Sequence, residues 1–427
     1  MLKEISGGVC AARGFKASGV HCGVKEGSSA DKNDLALIIS EKECAAAGVY
    51  TLNRVKAAPI YITMGHLEDG TARGIVVNSG NANACCPMSH ENAEIMCQSA
   101  AQATGLEPED FIVASTGVIG QTINIAAIQA GLPKAAEALT TDGSDAAARA
   151  IMTTDTVKKE AAVSFEVGGK EVRLGAIAKG SGMIHPNMGT MLCFVTTDCA
   201  ITHELLSDAL HAVVAKTFNR VTVDGDTSTN DTCTVMANGM ADNPLIEWKD
   251  GDYEIFLSAL EHVCRELARA IAGDGEGASK LVTCVVSGAR SEENAERLSK
   301  AVVGSSLVKA AMFGADANWG RVLCAMGYSK APFRPEHVDV CFRSCAGEIM
   351  VCRQGEALDF DEDQAKEVLT QKEIVIAVEL HEGENSAECW GCDLTYDSVS
   401  YTHLCMTSPV SWRWACPLPW RPTPPPM

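Results

Sequence analysis

Short apolar runs alternate with helical patterns along most of this chain, and that alternation limits the folds open to it. The runs are rich in β-branched residues and bounded by turn formers, which is typical of buried strands; they lie at 35–39, 74–78, 111–115, 281–287, 338–342 and 373–380. Apolar residues recur at helical spacing after Thr202, a predicted N-cap, and again over 256–271. The sequence therefore predicts an α/β or α+β protein of layered sheets and helices, with the strand order left open.

The formal net charge of −20 over 427 residues argues against a nucleic-acid partner or an anionic membrane, since either would need a basic face. The sequence has no export signal and no apolar run of about 18 residues, so we predict a cytoplasmic protein. Its 19 scattered cysteines are then expected to be reduced thiols. No metal site or cofactor is predicted, because Cys389 and Cys392 lack a second ligand pair and the loop from Asp224 lacks the glycine and glutamate of a calcium-binding EF-hand.

The composition changes abruptly after Asp397. Residues 398–427 contain no Asp or Glu, yet hold seven of the fifteen prolines and three of the six tryptophans. Proline at this density blocks both helix and strand. A disordered tail is one interpretation, but exposed tryptophans are unusual in such a tail. We favour the other, that these residues are non-native sequence from a frameshift or read-through.

The strongest chemical signal is a threonine that directly follows a glycine, Gly189-Thr190, in an apolar and glycine-rich segment. Cleavage of the bond between them would give Thr190 a free α-amine, with an ordinary pKa of roughly 7.7–8.0. Such an amine can act as a general base at neutral pH, so nucleophile and base would share one residue. His185 is a weaker candidate for the base, and we expect it to pack within its loop.

Three other segments have side chains that could form a site. The turn at Thr116-Gly117 follows a strand and could present backbone N–H groups as an oxyanion hole, and the segment 151–156 clusters hydroxyls around one carboxylate. Glu276 lies between glycines, where its carboxylate is accessible to a ligand ammonium. Taken singly, each segment is better explained as an ordinary turn or helix cap.

Taken together and in order, these segments resemble the bifunctional ornithine acetyltransferase (glutamate N-acetyltransferase) family of arginine biosynthesis. The resemblance covers about 7–397. Its motifs are Lys179-Gly-Ser-Gly-Met with Met188-Gly-Thr-Met-Leu, Ser115-Thr-Gly, Met152-Thr-Thr-Asp-Thr, Asn219-Arg-Val-Thr-Val-Asp-Gly-Asp-Thr-Ser-Thr-Asn-Asp-Thr, Gly273-Asp-Gly-Glu-Gly-Ala and Trp390-Gly-Cys-Asp-Leu-Thr-Tyr-Asp.

The resemblance implies a self-cleaving, N-terminal-nucleophile type of acyltransferase fold. The precursor would break between Gly189 and Thr190 into an α chain, 1–189, and a β chain, 190–397. Similar enzymes assemble as two α and two β chains, so we expect a heterotetramer. The family also binds substrate through an asparagine and a hydroxyl residue near its C-terminus, and none of the residues in 398–427 is assigned to those roles.

The resemblance also implies a role for each site residue. Thr190 would be the nucleophile and acyl carrier, and Thr116 and Gly117 would form the oxyanion hole. The implied substrate-binding residues are Thr153, Lys179, Thr190 and Glu276, with Lys179 facing the substrate carboxylate and Glu276 its amine.

The implied reaction moves an acetyl group from N2-acetyl-L-ornithine to L-glutamate in two displacements. The sequence leaves open whether acetyl-CoA is a second acetyl donor. Two alternatives also stay open: a self-processing aminopeptidase or amidase of similar fold, and an uncleaved, inactive protein that binds amino acids.

Overall fold

The computed structural model describes residues 2–25, 27–185 and 191–398. Its strands are β1 (Lys3–Glu4), β2 (Phe15–Val20), β3 (Leu35–Tyr50), β4 (Thr71–Asn78), β5 (Phe111–Ser115), β6 (Lys159–Val167), β7 (Lys170–Lys179), β8 (Leu192–Thr197), β9 (Val221–Thr222), β10 (Thr232–Ala237), β11 (Leu281–Ala289), β12 (Asp339–Ser344), β13 (Gly347–Arg353), β14 (Glu356–Ala357), β15 (Glu373–Glu379) and β16 (Asn385–Cys392). Its α-helices are α1 (Ala58–His66), α2 (Ser89–Thr104), α3 (Ile125–Glu137), α4 (Ser144–Ala150), α5 (His203–Lys216), α6 (Gly251–Gly273), α7 (Glu292–Gly304), α8 (Ser306–Phe313), α9 (Trp319–Gly327) and α10 (Glu362–Leu369).

The strands of the described residues form two mixed sheets. The first runs in the order β1-β6-β7-β8-β10-β3-β4-β5, and β2 also pairs with the long strand β3. The second runs β14-β13-β12-β15-β11-β16-β9. Each sheet contains two parallel pairs, β8–β10 and β4–β5 in the first and β11–β15 and β16–β9 in the second, and the other neighbours are antiparallel.

The first sheet is buried on both faces, which explains why its strands are apolar runs rather than alternating patterns. In β8, Cys193 and Val195 pack into the cluster that contains α5 and α6, while Leu192 and Phe194 pack into the cluster on the opposite face with α4. The helices α2 and α3 cover β4 and β5, and α7 to α10 form a separate core with the second sheet. The molecule is therefore layered, as predicted.

The predicted elements are present, with longer bounds in several cases. The run at 35–39 is the start of β3, which continues to Tyr50, while 111–115 matches β5. The Thr202 hydroxyl accepts a hydrogen bond from the Leu205 N–H and caps α5, as predicted. Asp250 caps α6 in the same way.

The first sheet joins strands from both sides of the predicted cleavage point. The strands β1 to β7 precede residue 189, whereas β8 and β10 follow it and lie between β7 and β3. The predicted α and β chains therefore share one sheet and are not separate folding units. The predicted tail, apart from Ser398, lies outside the described residues. None of the described helices is long and apolar enough to cross a membrane.

Candidate active site

A cavity of about 410 Å³ lies where seven separate segments of the chain meet. It contains five of the residues predicted for the site: Thr116, Gly117, Thr153, Lys179 and Glu276. The rest of its lining consists of Lys25, Lys32, Ser79, Gly80, Ala82, Val118, Ile119, Thr154, Gly182, Met183, Ser228, Thr229 and Asn230. Predicted site residues as far apart in sequence as Thr116 and Glu276 are thus brought to one surface, as the resemblance implies.

The Thr116-Gly117 turn follows β5 and packs on the turn after β4. Gly117 has a φ of +130°, and a Cβ there would lie 2.8 Å from the Asn81 nitrogen, so only glycine fits. The Thr116 N–H donates to the Asn78 carbonyl at 2.9 Å, so this backbone donor is not free for an oxyanion. The Thr116 hydroxyl and the Gly117 N–H have no hydrogen-bond partner among the described residues, and these are the two donors the turn can offer.

Asn230 fixes that turn to the opposite wall of the cavity. Its amide nitrogen donates to the carbonyls of Ala82 (2.7 Å) and Ser115 (2.8 Å), and its amide oxygen accepts from the Thr229 hydroxyl at 2.6 Å. These bonds satisfy backbone carbonyls at the ends of two segments that form the cavity wall. Asn230 therefore holds the Thr116-Gly117 turn in place.

Asp155 organises the segment that carries Thr153. Its carboxylate accepts hydrogen bonds from the Thr153 N–H (3.1 Å), the Gly180 N–H (2.7 Å) and the Lys159 ammonium (2.7 Å). Burial by itself would raise the pKa of Asp155, but Lys179 and Lys159 outweigh it and lower the pKa to about 2. Asp155 is therefore ionised at neutral pH.

Lys179 ends β7 and presents its ammonium to the cavity from a buried position. Its Nζ lies 3.8 Å from an Asp155 carboxylate oxygen, too far for a hydrogen bond. Burial lowers the pKa of Lys179, and Asp155 opposes that shift. An anion bound at the cavity would supply the hydrogen bonds that the ammonium does not make with Asp155.

A second carboxylate, Asp274, completes the network behind the cavity. Lys159 is fully buried and lies 2.6 Å from Asp274 as well as 2.7 Å from Asp155. Thr156 donates to Asp274 through both its N–H and its hydroxyl. Buried carboxylates need such partners, and here the network joins the start of β6 to the end of α6.

Glu276 lies two residues beyond Asp274 and lines the same cavity as the Thr116-Gly117 turn. A Cβ on Gly182 would collide with the Glu276 carboxyl group, so the glycine makes room for that side chain. Burial raises the pKa of Glu276, with a further contribution from Asp224, while the Thr154 hydroxyl and Lys179 act in the opposite direction. A bound ammonium would favour the ionised form.

The segment before the predicted cleavage point is held by Asp224. Its carboxylate accepts from the N–H groups of Met183 (2.6 Å) and Ile184 (2.9 Å). His185 contacts the Thr222 hydroxyl through Nδ1 at 2.9 Å, and its carbonyl accepts from the Thr227 hydroxyl. Burial lowers the pKa of His185, and Lys300 adds to this effect. These contacts agree with the loop-packing role expected for this histidine.

Gly189 and Thr190 lie outside the described residues. The chain is described again from Met191, whose carbonyl accepts from the Thr232 N–H at 3.0 Å. The next residue, Leu192, pairs with Lys179 across β7 and β8. The described chain therefore resumes at the Lys179 end of the first sheet.

Sequence reasoning missed three residues that shape the site. Asp155 and Asn230 belong to the motifs given above, but their bonds to Gly180, Ala82 and Ser115 join distant segments and could not be identified from spacing. Ser79 is buried on the cavity wall, and its hydroxyl has no hydrogen-bond partner among the described residues. A serine directly after an apolar strand is its only sequence signal.

Comparison with known proteins supports the resemblance inferred from the motifs. The model of the ArgJ family matches residues 16–402. The arginine biosynthesis bifunctional protein ArgJ of Symbiobacterium thermophilum is 51% identical over 93% of this chain and 98% of its own length. The ArgJ of Caldanaerobacter subterraneus is 48% identical over the same shares. A crystal structure of ArgJ from Bacillus halodurans is 45% identical and aligns with 49% of this chain and 97% of its own, with a TM-score of 0.47. The chain belongs to the ArgJ family.

Proposed function

We propose that this chain is a self-processing acetyltransferase of arginine biosynthesis, which moves acetyl from N2-acetyl-L-ornithine to L-glutamate through an ester on Thr190. Membership of the ArgJ family supports the reaction class. The single observation that carries the proposal is the meeting of Thr116, Gly117, Lys179 and Glu276 on one cavity. That cavity offers two oxyanion donors, one buried cation and one carboxylate, which is the set an acetylated diamino acid requires.

Self-cleavage comes first in this scheme. The Thr190 hydroxyl attacks the Gly189 carbonyl, and the peptide nitrogen leaves as the α-amine of Thr190. Water then hydrolyses the resulting ester, which frees the Thr190 hydroxyl and leaves Gly189 with a terminal carboxylate. Thr190 then has its own general base.

Acetyl transfer reuses the same groups. The Thr190 hydroxyl loses its proton to the α-amine and attacks the acetyl carbonyl of acetylornithine, whose oxygen becomes an oxyanion. The Thr116 hydroxyl and the Gly117 N–H donate to that oxyanion, and ornithine leaves with a proton from the amine. Glutamate then attacks the ester through its α-amine, and N-acetylglutamate and the free hydroxyl are formed.

The charged residues position both substrates. Lys179 binds the α-carboxylate that both the donor and the acceptor carry. Asp155 holds Thr153 near Lys179, because its carboxylate accepts from the Thr153 N–H and lies 3.8 Å from the Lys179 Nζ. Glu276 binds the side-chain ammonium of acetylornithine. No cofactor takes part in the proposed cycle, acetyl-CoA is a candidate second donor, and the processed chains form a heterotetramer of two α and two β chains in the cytoplasm.

Intact-mass analysis of the purified protein tests the mechanism. We expect two chains that meet at the Gly189–Thr190 bond, and addition of acetylornithine should add one acetyl group to the chain that begins with Thr190. Thr190→Ala should remain uncut and inactive, whereas Thr190→Ser, which keeps the hydroxyl, should still be cut. A wild-type chain that stays whole, or that is cut elsewhere, would refute the proposal.

A product assay separates transfer from hydrolysis. With acetylornithine and glutamate, the proposal requires N-acetylglutamate in amounts that follow the glutamate concentration. Release of acetate at a rate independent of glutamate would instead identify an amidase.

A further inference from the structure

The loop between β2 and β3 forms one rim of the cavity and has no role in the proposed cycle. Asp34 holds it in shape, because its buried carboxylate accepts from the N–H groups of Cys22 (2.7 Å) and Val24 (2.8 Å). The Asp34 carbonyl accepts from the Ser79 N–H at 3.0 Å, which ties the loop to the turn after β4. The rim is therefore anchored to the wall of the site.

This loop packs closely against the Thr116-Gly117 turn. A Cβ on Gly80 would lie 2.6 Å from Val24 and 2.9 Å from the Lys25 nitrogen. A Cβ on Gly117 would lie 2.8 Å from the Gly80 carbonyl carbon. Gly80 and Gly117 thus allow the loop, the turn after β4 and the Thr116-Gly117 turn to approach more closely than side chains would permit.

The other end of the loop reaches the opposite wall through Lys32. The Lys32 ammonium donates to the Thr153 carbonyl at 2.9 Å. An ammonium has three donors, so two remain for a ligand. The next residue, Thr154, also lines the cavity, and its side chain acts to lower the pKa of Glu276. Lys32 and Glu276 therefore both interact with this short stretch of the cavity wall.

The lining of this cavity has an excess of positive charge in a strongly acidic protein. Lys25, Lys32 and Lys179 line it against the single carboxylate of Glu276, although the chain carries a net charge of −20. Neither Lys25 nor Lys32 has a carboxylate within 4.0 Å among the described residues. The two rim lysines are thus available to an anionic ligand.

The proposed substrates have opposite charges at their side-chain ends. Acetylornithine has an ammonium there, and glutamate has a carboxylate. A subsite with Glu276 alone would attract the first and repel the second. The proposed cycle therefore needs a cation near Glu276 that is not Lys179, since Lys179 binds the α-carboxylate.

We infer that Lys32 is a specificity residue that binds the side-chain carboxylate of the acceptor amino acid, so that Lys32 and Glu276 form one subsite that accepts either sign of charge. This inference rests on the proposed function. The subsite would select dicarboxylic amino acids over neutral ones as acetyl acceptors.

Steady-state kinetics of Lys32→Met test the assignment. The KM for glutamate should rise about tenfold, the order of effect expected when one partly exposed charge-assisted hydrogen bond is lost. Acetylation of the enzyme by acetylornithine in a single turnover should keep its rate. The preference for glutamate over glutamine as acceptor should also fall about tenfold, whereas Lys32→Arg should restore much of it.

Matched controls decide between this subsite and a general effect. Lys42→Met removes an equally exposed lysine on β3, away from the cavity lining, and should leave both half-reactions unchanged. An unchanged glutamate KM in Lys32→Met, an equal loss for donor and acceptor, or a loss seen only in Lys25→Met would overturn the inference.

Calorimetric titration of glutamate onto the wild-type protein keeps this test separate from the test of the proposed function. Weaker binding of glutamate to Lys32→Met than to wild type supports the subsite even if no acetyl is transferred. A wild-type protein that transfers acetyl and binds glutamate as tightly as Lys32→Met does would refute the subsite alone.

Discussion

Lys159 and Lys179 both place an ammonium near the Asp155 carboxylate, but their surroundings differ. Lys159 begins β6 and lies opposite Ala178 in β7, so the two lysines come at the same end of the sheet. Lys159 lies within 2.7 Å of two carboxylates and has no exposed side-chain surface. Lys179 lies 3.8 Å from one carboxylate and lines the cavity.

The difference suggests that the charge of Lys159 stabilises the fold, whereas the charge of Lys179 is available to bind a ligand. A buried ion contributes to stability only when its partners replace its hydration, and Lys159 meets that condition through Asp155 and Asp274. Lys179 has one carboxylate nearby and makes no hydrogen bond to it, so its ammonium can still bind an anion. A matched series of Lys→Met substitutions tests this distinction.

The largest effect is expected for Lys159→Met. It would leave Asp155 and Asp274 buried without their shared counter-ion, and loss of one partner of a buried pair costs about 3–5 kcal/mol. Urea unfolding followed by fluorescence should show this loss in the free energy of unfolding. A loss below about 1 kcal/mol would mean that the network does not stabilise the fold.

Lys179→Met should affect transfer far more than stability. Removal of a charge-assisted contact to the substrate carboxylate should lower kcat/KM about 100-fold, equivalent to about 2.7 kcal/mol. The free energy of unfolding should change by no more than about 1 kcal/mol, because Asp155 keeps Lys159 and two N–H donors. Intact-mass analysis should first show that the variant is still cleaved. A stability loss equal to that of Lys159→Met would remove the distinction between the two lysines.

Low pH should protonate Asp155, the carboxylate that lies near both lysines, and so lower the stability of the fold. The pKa of Asp155 is about 2 in the folded protein and 3.8 ordinarily, so its stabilising contribution is present above pH 4 and is lost as the pH falls toward 2. That contribution amounts to roughly 2 kcal/mol. Unfolding free energies of wild type and Asp155→Asn, measured between pH 5 and about pH 2.5, should show the steeper decline in the wild type. Equal slopes would contradict the assigned ionisation.

The sequence led to a predicted role for Lys179 but not for Lys159, and the reason is physical. Strand positions followed from apolar runs, because both faces of the first sheet are buried, and the resemblance assigned Lys179 to the substrate. Lys159 was not singled out, since its partner Asp274 lies 115 residues away and neither spacing nor composition indicates such a contact. The sequence also could not indicate which donors the Thr116-Gly117 turn leaves free, because the bond of the Thr116 N–H to Asn78 depends on how two turns pack.

The smallest effect is expected for Lys158→Met, one residue before the buried lysine. Lys158 contacts Asp145 at 2.6 Å and Glu160 at 2.7 Å, distances as short as those of Lys159. Its side chain is 31% exposed and that of Asp145 is 51% exposed, so water replaces the lost contacts. Such pairs contribute about 0–1 kcal/mol and weaken further in salt. Urea unfolding at low and high salt should show a loss in that range. A loss as large as that of Lys159→Met would mean that contact distance, rather than burial, determines what these lysines contribute.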